Sequence, residues 1–487
     1  MLFNSYEFIF LYLPLVLAGF FIIGRYSYRY AALWLALSSL FFYGWWNPRF
    51  VLLLVASICF NFFAGYLIGH QKLAKNNKAV FILSVTANLV LLGIFKYTNF
   101  FIDTLNTFGA GWTTLDIILP LGISFFTFTQ IAYLVDVYRG IAREYNFVHY
   151  LLFVTWFPHL IAGPVLHHKQ MMPQFSSPAI YKPNTESIAV GLTLFSLGLF
   201  KKVILADQFA LYANPLFIRA ELGVQPMLID AWVGVLAYTL QLYFDFSGYS
   251  DMAIGLSRMF NVKLPLNFDS PYKAANIIEF WRRWHMTLSK FLRDYLYVPL
   301  GGNRKGPARR HCNLLATMLL GGLWHGAGWT FVFWGGLHGL YLVLNHMWRK
   351  LTGSSGIAKN KFTHAAGVVV TFLAVMIAWV PFRAASREAT AIIWYGMLGF
   401  NGIFPASIAE CASNTTLAWL FVGLCVIWGM PNSQQWLSNY SPAWDRVSGY
   451  SGFTWRPSKL FAITAGFLFA LSVLFFTKNS QFLYFQF

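Results

Sequence analysis

Long apolar runs separated by short polar gaps dominate the chain. FIFLYLPLVLAGFFIIG begins at Phe8, RFVLLLVASICFNFFAGYLIG at Arg49, AVFILSVTANLVLLGIF at Ala79 and KLFAITAGFLFALSVLFF at Lys459. Each is near the roughly 20 residues that a helix needs to cross a bilayer. The runs do not alternate apolar with polar positions, so they predict helices, not barrel strands. Counting every window of this kind gives roughly ten to thirteen by the same length rule.

The pattern divides one membrane domain, 1–487, into three parts. Residues 1–110 read as regular spans. Residues 115–345 are apolar but laced with polar and charged positions. Residues 365–487 return to plain spans. The longest polar gaps, Met171–Ser187, Gly353–Thr363 and Ser433–Ser458, are too short for a soluble domain. The middle part holds LPLGISFFTFTQIAYLVDVYRG, LYFDFSGYSDMAIGLSRMF and IIEFWRRWHMTLSKFLRDYLYVPLGGNRKG. Ionisable groups at membrane depth are costly and face a bundle interior or a wet cavity, so their clustering predicts a lined chamber. Residues 276–302 carry Glu279, Arg282, Arg283, His285, Lys290, Arg293 and Asp294. That is too charged for an ordinary span and predicts an amphipathic or re-entrant segment.

Composition agrees. Of 487 residues, 57% are hydrophobic and only 11% charged, against about 25% charged in soluble domains. The net charge of +18 is not a nucleic-acid signal. Lys and Arg fall in gaps between spans instead of on one soluble face. The gaps are Arg25–Arg29, Lys72–Lys78, Arg139–Arg143, Lys201–Lys202, Arg304–Arg310 and Arg349–Lys361. The positive-inside rule places them in the cytoplasm and the N-terminus outside. MLFNSYEF lacks the basic start of a cleaved signal peptide, so the first apolar run is expected to stay as a membrane helix. Cys59, Cys312, Cys411 and Cys425 have no CxxC spacing and read as packing residues, with no metal cluster expected.

Eleven histidines are present. His325, in GGLWHGAG, follows an apolar run that carries it into the membrane. An imidazole there is either a hydrogen-bonded packing group or a base that takes and returns a hydroxyl proton. Gly321, Gly322, Gly326 and Gly328 remove bulk around it, for close helix packing or for open space beside the ring. His338 lies thirteen residues on, about 220° around a straight helix, unless Gly335-Gly336 resets the phase. It reads as a supporting residue, and a two-histidine metal site is disfavoured. His285, in FWRRWHMT, is either an interfacial residue or a second polar group that meets His325. His159, in WFPHLIAGP, is a lesser candidate for the chamber wall. His70, His149, His167, His168, His311, His346 and His364 read as interfacial. There is no GxSxG, Walker loop, GxGxxG or HExxH.

RRWHMTLSKFLRDYLYVPLGGNRKG followed by GGLWHGAGWTFVFWGGLHG resembles the membrane-bound O-acyltransferase (MBOAT) superfamily. LPLGISFFTFTQIAYLVDVYRG, YFDFSGYSDMAIGLSRMFN and the opening MLFNSYEFIFLYLPLV extend the match over nearly the full length. The closest likeness is to the bacterial branch that O-acetylates alginate, cellulose or peptidoglycan. The resemblance implies an all-α polytopic fold of about 11–13 transmembrane or re-entrant helices around a central tunnel. It implies that His325 and His285 are catalytic, with His325 the general base. It assigns Trp324, Tyr243, Asp245, Ser247, Asp251, Arg282, Arg283 and Asn303 to substrate binding. The donor implied is acetyl-CoA from the cytoplasmic side, with no tightly bound cofactor and no metal. The acceptor implied is an extracytoplasmic polysaccharide, reached directly or through an SGNH-type periplasmic or membrane-anchored partner. The location implied is the bacterial inner membrane. The alternative class is a transporter of acetyl groups or another small solute that makes no bond.

Overall fold

A computed structural model describes all residues except 71–76, 145, 354–359, 405–412, 448–449, 451, 477–481 and 484–487. Lys72, Lys75, Lys359 and Cys411 therefore lie outside the described residues. Within those described, every regular element is helical and there is no strand. Five helices are long and apolar enough to cross a membrane: Glu7–Gly24, Arg49–Gly69, Asn77–Asn106, Thr185–Glu221 and Lys361–Arg383. Ile123–Tyr138, Asn414–Gly429 and Lys459–Leu474 are shorter apolar helices. The chain is an all-α, multi-pass membrane protein.

Its residues group into two compact units. The first comprises Met1–Gly198, Tyr249–Leu266 and Ser433–Gln481. Its spans are apolar toward their surroundings but tied inside by side-chain amides. Asn61 and Asn88 exchange amide bonds at 3.0 and 2.7 Å, and Gln130 Nε2 donates to Ser57 Oγ at 3.0 Å. Such bonds hold helices together where lipid supplies no hydrophobic drive between them. His159 belongs here as a packing residue: it is buried, and its Nε2 lies 2.9 Å from the Phe153 carbonyl.

The second unit comprises Leu199–Gly248, Asn267–Asn432 and Phe482–Phe487. Its centre is a helical hairpin, Gly306–His325 and Trp329–Thr352, against which Lys361–Arg383 also packs. The core there is aromatic, with Phe244, Phe280, Trp334 and Trp379 almost wholly buried. Glycines let the hairpin close. A Cβ on Gly322 would lie 2.2 Å from the Phe331 carbonyl oxygen, and one on Gly335 2.2 Å from that of Met318.

The basic gaps differ in part from expectation. Lys201 and Lys202 do not lie in a loop. They open a π-helical turn, Lys201–Ala206, inside the continuous Thr185–Glu221 helix, and Lys202 is buried. Its charge is matched by two aspartates, so the helix need not break there. Arg309 and Arg310 sit in the early turns of the Gly306–His325 helix, because Pro307 suits the first turn. Cys59, Cys312 and Cys425 are free thiols. No cluster able to hold a metal occurs among the described residues.

Candidate active site

Two chain breaks present the imidazoles. The Gly306–His325 helix ends at His325, and Gly326 and Gly328 run extended before the next helix starts at Trp329. The break thus falls at 326–328, and Gly335-Gly336 continue the following helix without interruption. Two of the glycines beside His325 serve close packing: a Cβ on Gly322 would meet the Phe331 carbonyl oxygen, and one on Gly326 would collide with the Phe331 ring at 2.1 Å. A Cβ on Gly328 would make only ordinary contact, 3.6 Å from the Phe331 ring.

The charged stretch after Asn276 folds as two short helices, Ile277–Arg283 and Met286–Leu292. His285 stands between them at φ 43°, ψ 53°. A non-glycine residue in the left-handed region is uncommon and marks a position held by its surroundings. His285 is fully buried and His325 is 6% exposed, and their ring centres are 6.4 Å apart. Forty residues of sequence separate them; the fold brings them together. Trp324 joins them, 5.0 Å from the His325 ring and 6.4 Å from that of His285. Trp334 and Phe382 pack edge-on against His325 at 5.1 and 5.3 Å. A small cavity of about 20 Å³ lies here, lined by His325, Trp334, Trp379, Phe382, Asp245 and Leu483.

Asp245 lines that cavity as one member of a buried ion network. Lys202 Nζ is 2.8 Å from Asp245 Oδ1 and 2.8 Å from Asp207 Oδ1, while the Leu483 N–H donates to Asp245 Oδ2 at 3.2 Å. Sequence reasoning missed Lys202. Its signal was two lysines between long apolar runs, which reads as a loop until the helix is seen to be continuous.

The other expected site residues divide. Tyr243 packs on Phe244 and Tyr272. Ser247 is buried, with no hydrogen-bond partner for its Oγ among the described residues. Asp251 belongs to the first unit, where Ser433 Oγ–H donates to it at 2.6 Å and Gln434 Nε2 donates to its other oxygen. Arg283 pairs with Glu279 at 2.8 Å and donates to the Asp269 carbonyl at 3.3 Å. Asn303 is exposed in the turn before the Gly306–His325 helix. Arg282 lines a second, larger cavity of about 440 Å³ in the same unit, together with Trp281, Lys290, Arg293, Met318 and His346.

His338 stands between the two cavities. It is fully buried, and Trp281 Nε1–H donates to its Nδ1 at 3.3 Å. Its ring packs on Trp334 at 5.0 Å and Trp281 at 5.1 Å. Trp334 lines the cavity of His325 and Trp281 lines the basic one, so His338 belongs to an aromatic partition and makes no ring contact with His285.

A buried imidazole pair beside a cationic cavity, in a helical membrane protein, suits transfer of a group from an anionic donor. The family model of the membrane-bound O-acyltransferases (MBOAT) matches residues 137–382. The chain is 43% identical to a peptidoglycan O-acetyltransferase of Helicobacter pylori, over 85% of this chain and 83% of that one. It is 38% identical to a probable alginate O-acetylase, AlgI, of Pseudomonas putida, over the whole of both. A teichoic acid D-alanyltransferase of Streptococcus thermophilus is 28% identical over 56% of this chain and 70% of its own. The chain belongs to the MBOAT family and is an acyltransferase.

Proposed function

We propose that this protein is an O-acetyltransferase of the bacterial inner membrane that moves an acetyl group from cytoplasmic acetyl-CoA to an extracytoplasmic polysaccharide. Two relatives, 43% and 38% identical, are named for acetylating peptidoglycan and alginate, and both align over most of the chain. The observation that carries the chemistry is the buried pair His285–His325, with ring centres 6.4 Å apart. An imidazole takes the acceptor hydroxyl proton as the oxygen attacks the thioester carbonyl, and returns it to the departing thiolate. The WHG motif favours His325 as that base.

The donor reading rests on the larger cavity. Arg282, Lys290, Arg293 and His346 line it, and cations of this kind attract the phosphates of CoA. Its wall reaches Met286, next to His285, so a pantetheine arm lying there would point its thioester at the imidazoles. Transfer to the polymer runs directly or through an SGNH-type acetyltransferase outside the membrane.

The test is transfer from labelled acetyl-CoA by purified protein to alginate or peptidoglycan fragments, with and without such a partner. His325→Ala abolishes transfer on this reading. Full transfer by that variant would sink it.

A further inference from the structure

The first unit contains the start of the Thr185–Glu221 helix and the whole of Lys459–Leu474. One turn ties both helix starts to the same end. Asn261, left-handed at φ 60°, donates its amide to the Ile180 and Lys182 carbonyls at 2.9 Å, just before the first helix. The Trp444 N–H donates to the Leu264 carbonyl at 2.8 Å and the Leu266 N–H to Asp445 Oδ2 at 2.9 Å. That strand of chain is joined in turn to the entry of the second helix. Asn439 Nδ2 donates to Thr454 Oγ1 at 3.0 Å, and the Trp455 N–H to the Trp436 carbonyl at 2.9 Å.

This end is basic. Lys182, Arg456 and Lys459 are exposed, and Lys263 lies in the shared turn. Two carboxylates, Glu186 and Asp445, leave it net cationic. The positive-inside rule places such an end at the cytoplasmic leaflet, whose anionic lipids attract Lys and Arg.

Between the two helices runs a groove of about 610 Å³, within the roughly 300–1,000 Å³ of ligand pockets. Ala189, Leu192 and Phe195 form one wall; Ala462, Ala465 and Phe469 form the other. Gly466 widens it, since a Cβ there would meet nothing within 4 Å. Thr193 and Ser196 also line it, but their hydroxyls donate to the Ala189 and Leu192 carbonyls of their own helix, at 2.8 and 2.9 Å. Polar side chains commonly hold one membrane helix to another; here they are already engaged, and the walls suit an apolar chain. Ser458 to Phe469 covers about 16 Å of helix, close to half of the roughly 30 Å hydrocarbon core. The groove therefore has the depth of one leaflet. Lys459, Ser458 and Trp455 line its basic mouth. Ser458 caps the helix by accepting the Phe461 N–H at 3.4 Å, and the helix N-terminus adds partial positive charge there.

We propose that this groove binds an anionic phospholipid of the cytoplasmic leaflet, with one acyl chain between the two helices and the phosphate at Arg456 and Lys459. The lipid is a resident ligand, neither donor nor acceptor of the acyl group, so the site stands independently of the transfer reaction.

The experiment uses full-length protein in detergent, delipidated and then titrated with phosphatidylglycerol or phosphatidylethanolamine of equal chain length. Native mass spectrometry counts the lipid retained, and a thermal melt follows each addition. The wild type retains phosphatidylglycerol under activation that strips phosphatidylethanolamine, and only the former raises its melting temperature. Arg456→Gln with Lys459→Gln weakens phosphatidylglycerol binding about 30-fold, the effect of two cations at an anionic lipid surface. Gly466→Leu fills the groove and abolishes that retention, whereas Gly466→Ala adds one methyl and keeps it. In cells, p-benzoylphenylalanine in place of Phe469 cross-links to lipid. The proposal is overturned if the wild type retains both lipids equally, if the double Gln variant binds phosphatidylglycerol as the wild type does, or if Gly466→Leu keeps it. A protein adduct at position 469 would also overturn it, by making the groove a seat for a partner's helix. Arg456 and Lys459 are exposed, so the double Gln variant decides even where Gly466→Leu fails to fold.

Discussion

Lys202 Nζ lies 2.8 Å from Asp245 Oδ1, and both side chains are 3% exposed. Asp245 depends on Lys202 for its compensating charge, while Lys202 also has Asp207 at 2.8 Å. Losing one partner leaves a buried ion uncompensated, which costs about 3–5 kcal/mol. Lys202→Met should therefore lower the melting temperature of the solubilised protein sharply. Lys202→Met with Asp245→Leu should recover much of it, since an apolar pair of similar volume is often neutral. A double variant no more stable than the single one would show that Asp245 has a role beyond pairing with Lys202.

The hairpin of Gly306–His325 and Trp329–Thr352 gives a second prediction. Gly322 and Gly335 lie where any Cβ would meet backbone at 2.2 Å, and backbone cannot swing aside. Gly335→Ala should separate the helices, displace Trp334 from His325 and reduce transfer, with a stability loss of about 1–3 kcal/mol typical of overpacking. Gly466 has nothing within 4 Å of such a Cβ, so Gly466→Ala should leave melting temperature and transfer unchanged.

The fold class was legible because apolar runs of span length leave few alternatives to membrane helices. His325 and His285 were legible as two unusual imidazoles in motif context. Their approach was not, because forty residues and two chain breaks intervene. Lys202 was misread because a charged residue between apolar runs looks like a gap. Only the packed structure shows Asp245 and Asp207 beside it. Asp251 and Arg283 were expected at the substrate by the resemblance, which says nothing of their neighbours. The structure assigns each local partners, Ser433 with Gln434 and Glu279 with the Asp269 carbonyl. Sequence shows a polar group's cost but not which neighbour offsets it.

Glu144, in the turn after Ile123–Tyr138, makes stability depend on acid. Burial pushes its carboxyl up, but hydrogen bonds from His168 and the Asn146 N–H, with the charges of His168 and His149, outweigh burial and hold it below the ordinary value. A carboxyl lowered in the folded state contributes stability that is present above its unfolded pKa and lost as pH falls through the folded one. Melting temperature should thus fall below about pH 4–5, the ordinary carboxylate range. Glu144→Gln should lose stability at neutral pH and show a shallower acid fall. Identical acid profiles for the two proteins would remove Glu144 from the account.

On the proposed function, the basic cavity holds the donor apart from the chemistry. Arg282 is exposed and lines it with Lys290, Arg293 and His346, whereas the imidazole pair is buried in the aromatic core of the same unit. Arg293 is already engaged by Asp294 at 2.7 Å, so reversing Arg282 changes the field in the cavity without breaking that pair. Arg282→Glu should raise KM for acetyl-CoA by about tenfold, the effect of roughly 1.4 kcal/mol, and leave kcat near wild type, because lost donor binding is shared by ground and transition states. Raising salt should weaken donor binding in the wild type and narrow the gap between the two proteins, since exposed charges are screened. A donor truncated to acetyl-pantetheine, which lacks the nucleotide phosphates, should be used equally by both. If Arg282→Glu instead lowers kcat at saturating acetyl-CoA and leaves KM unchanged, the cavity is part of the reacting centre and not the donor's phosphate site.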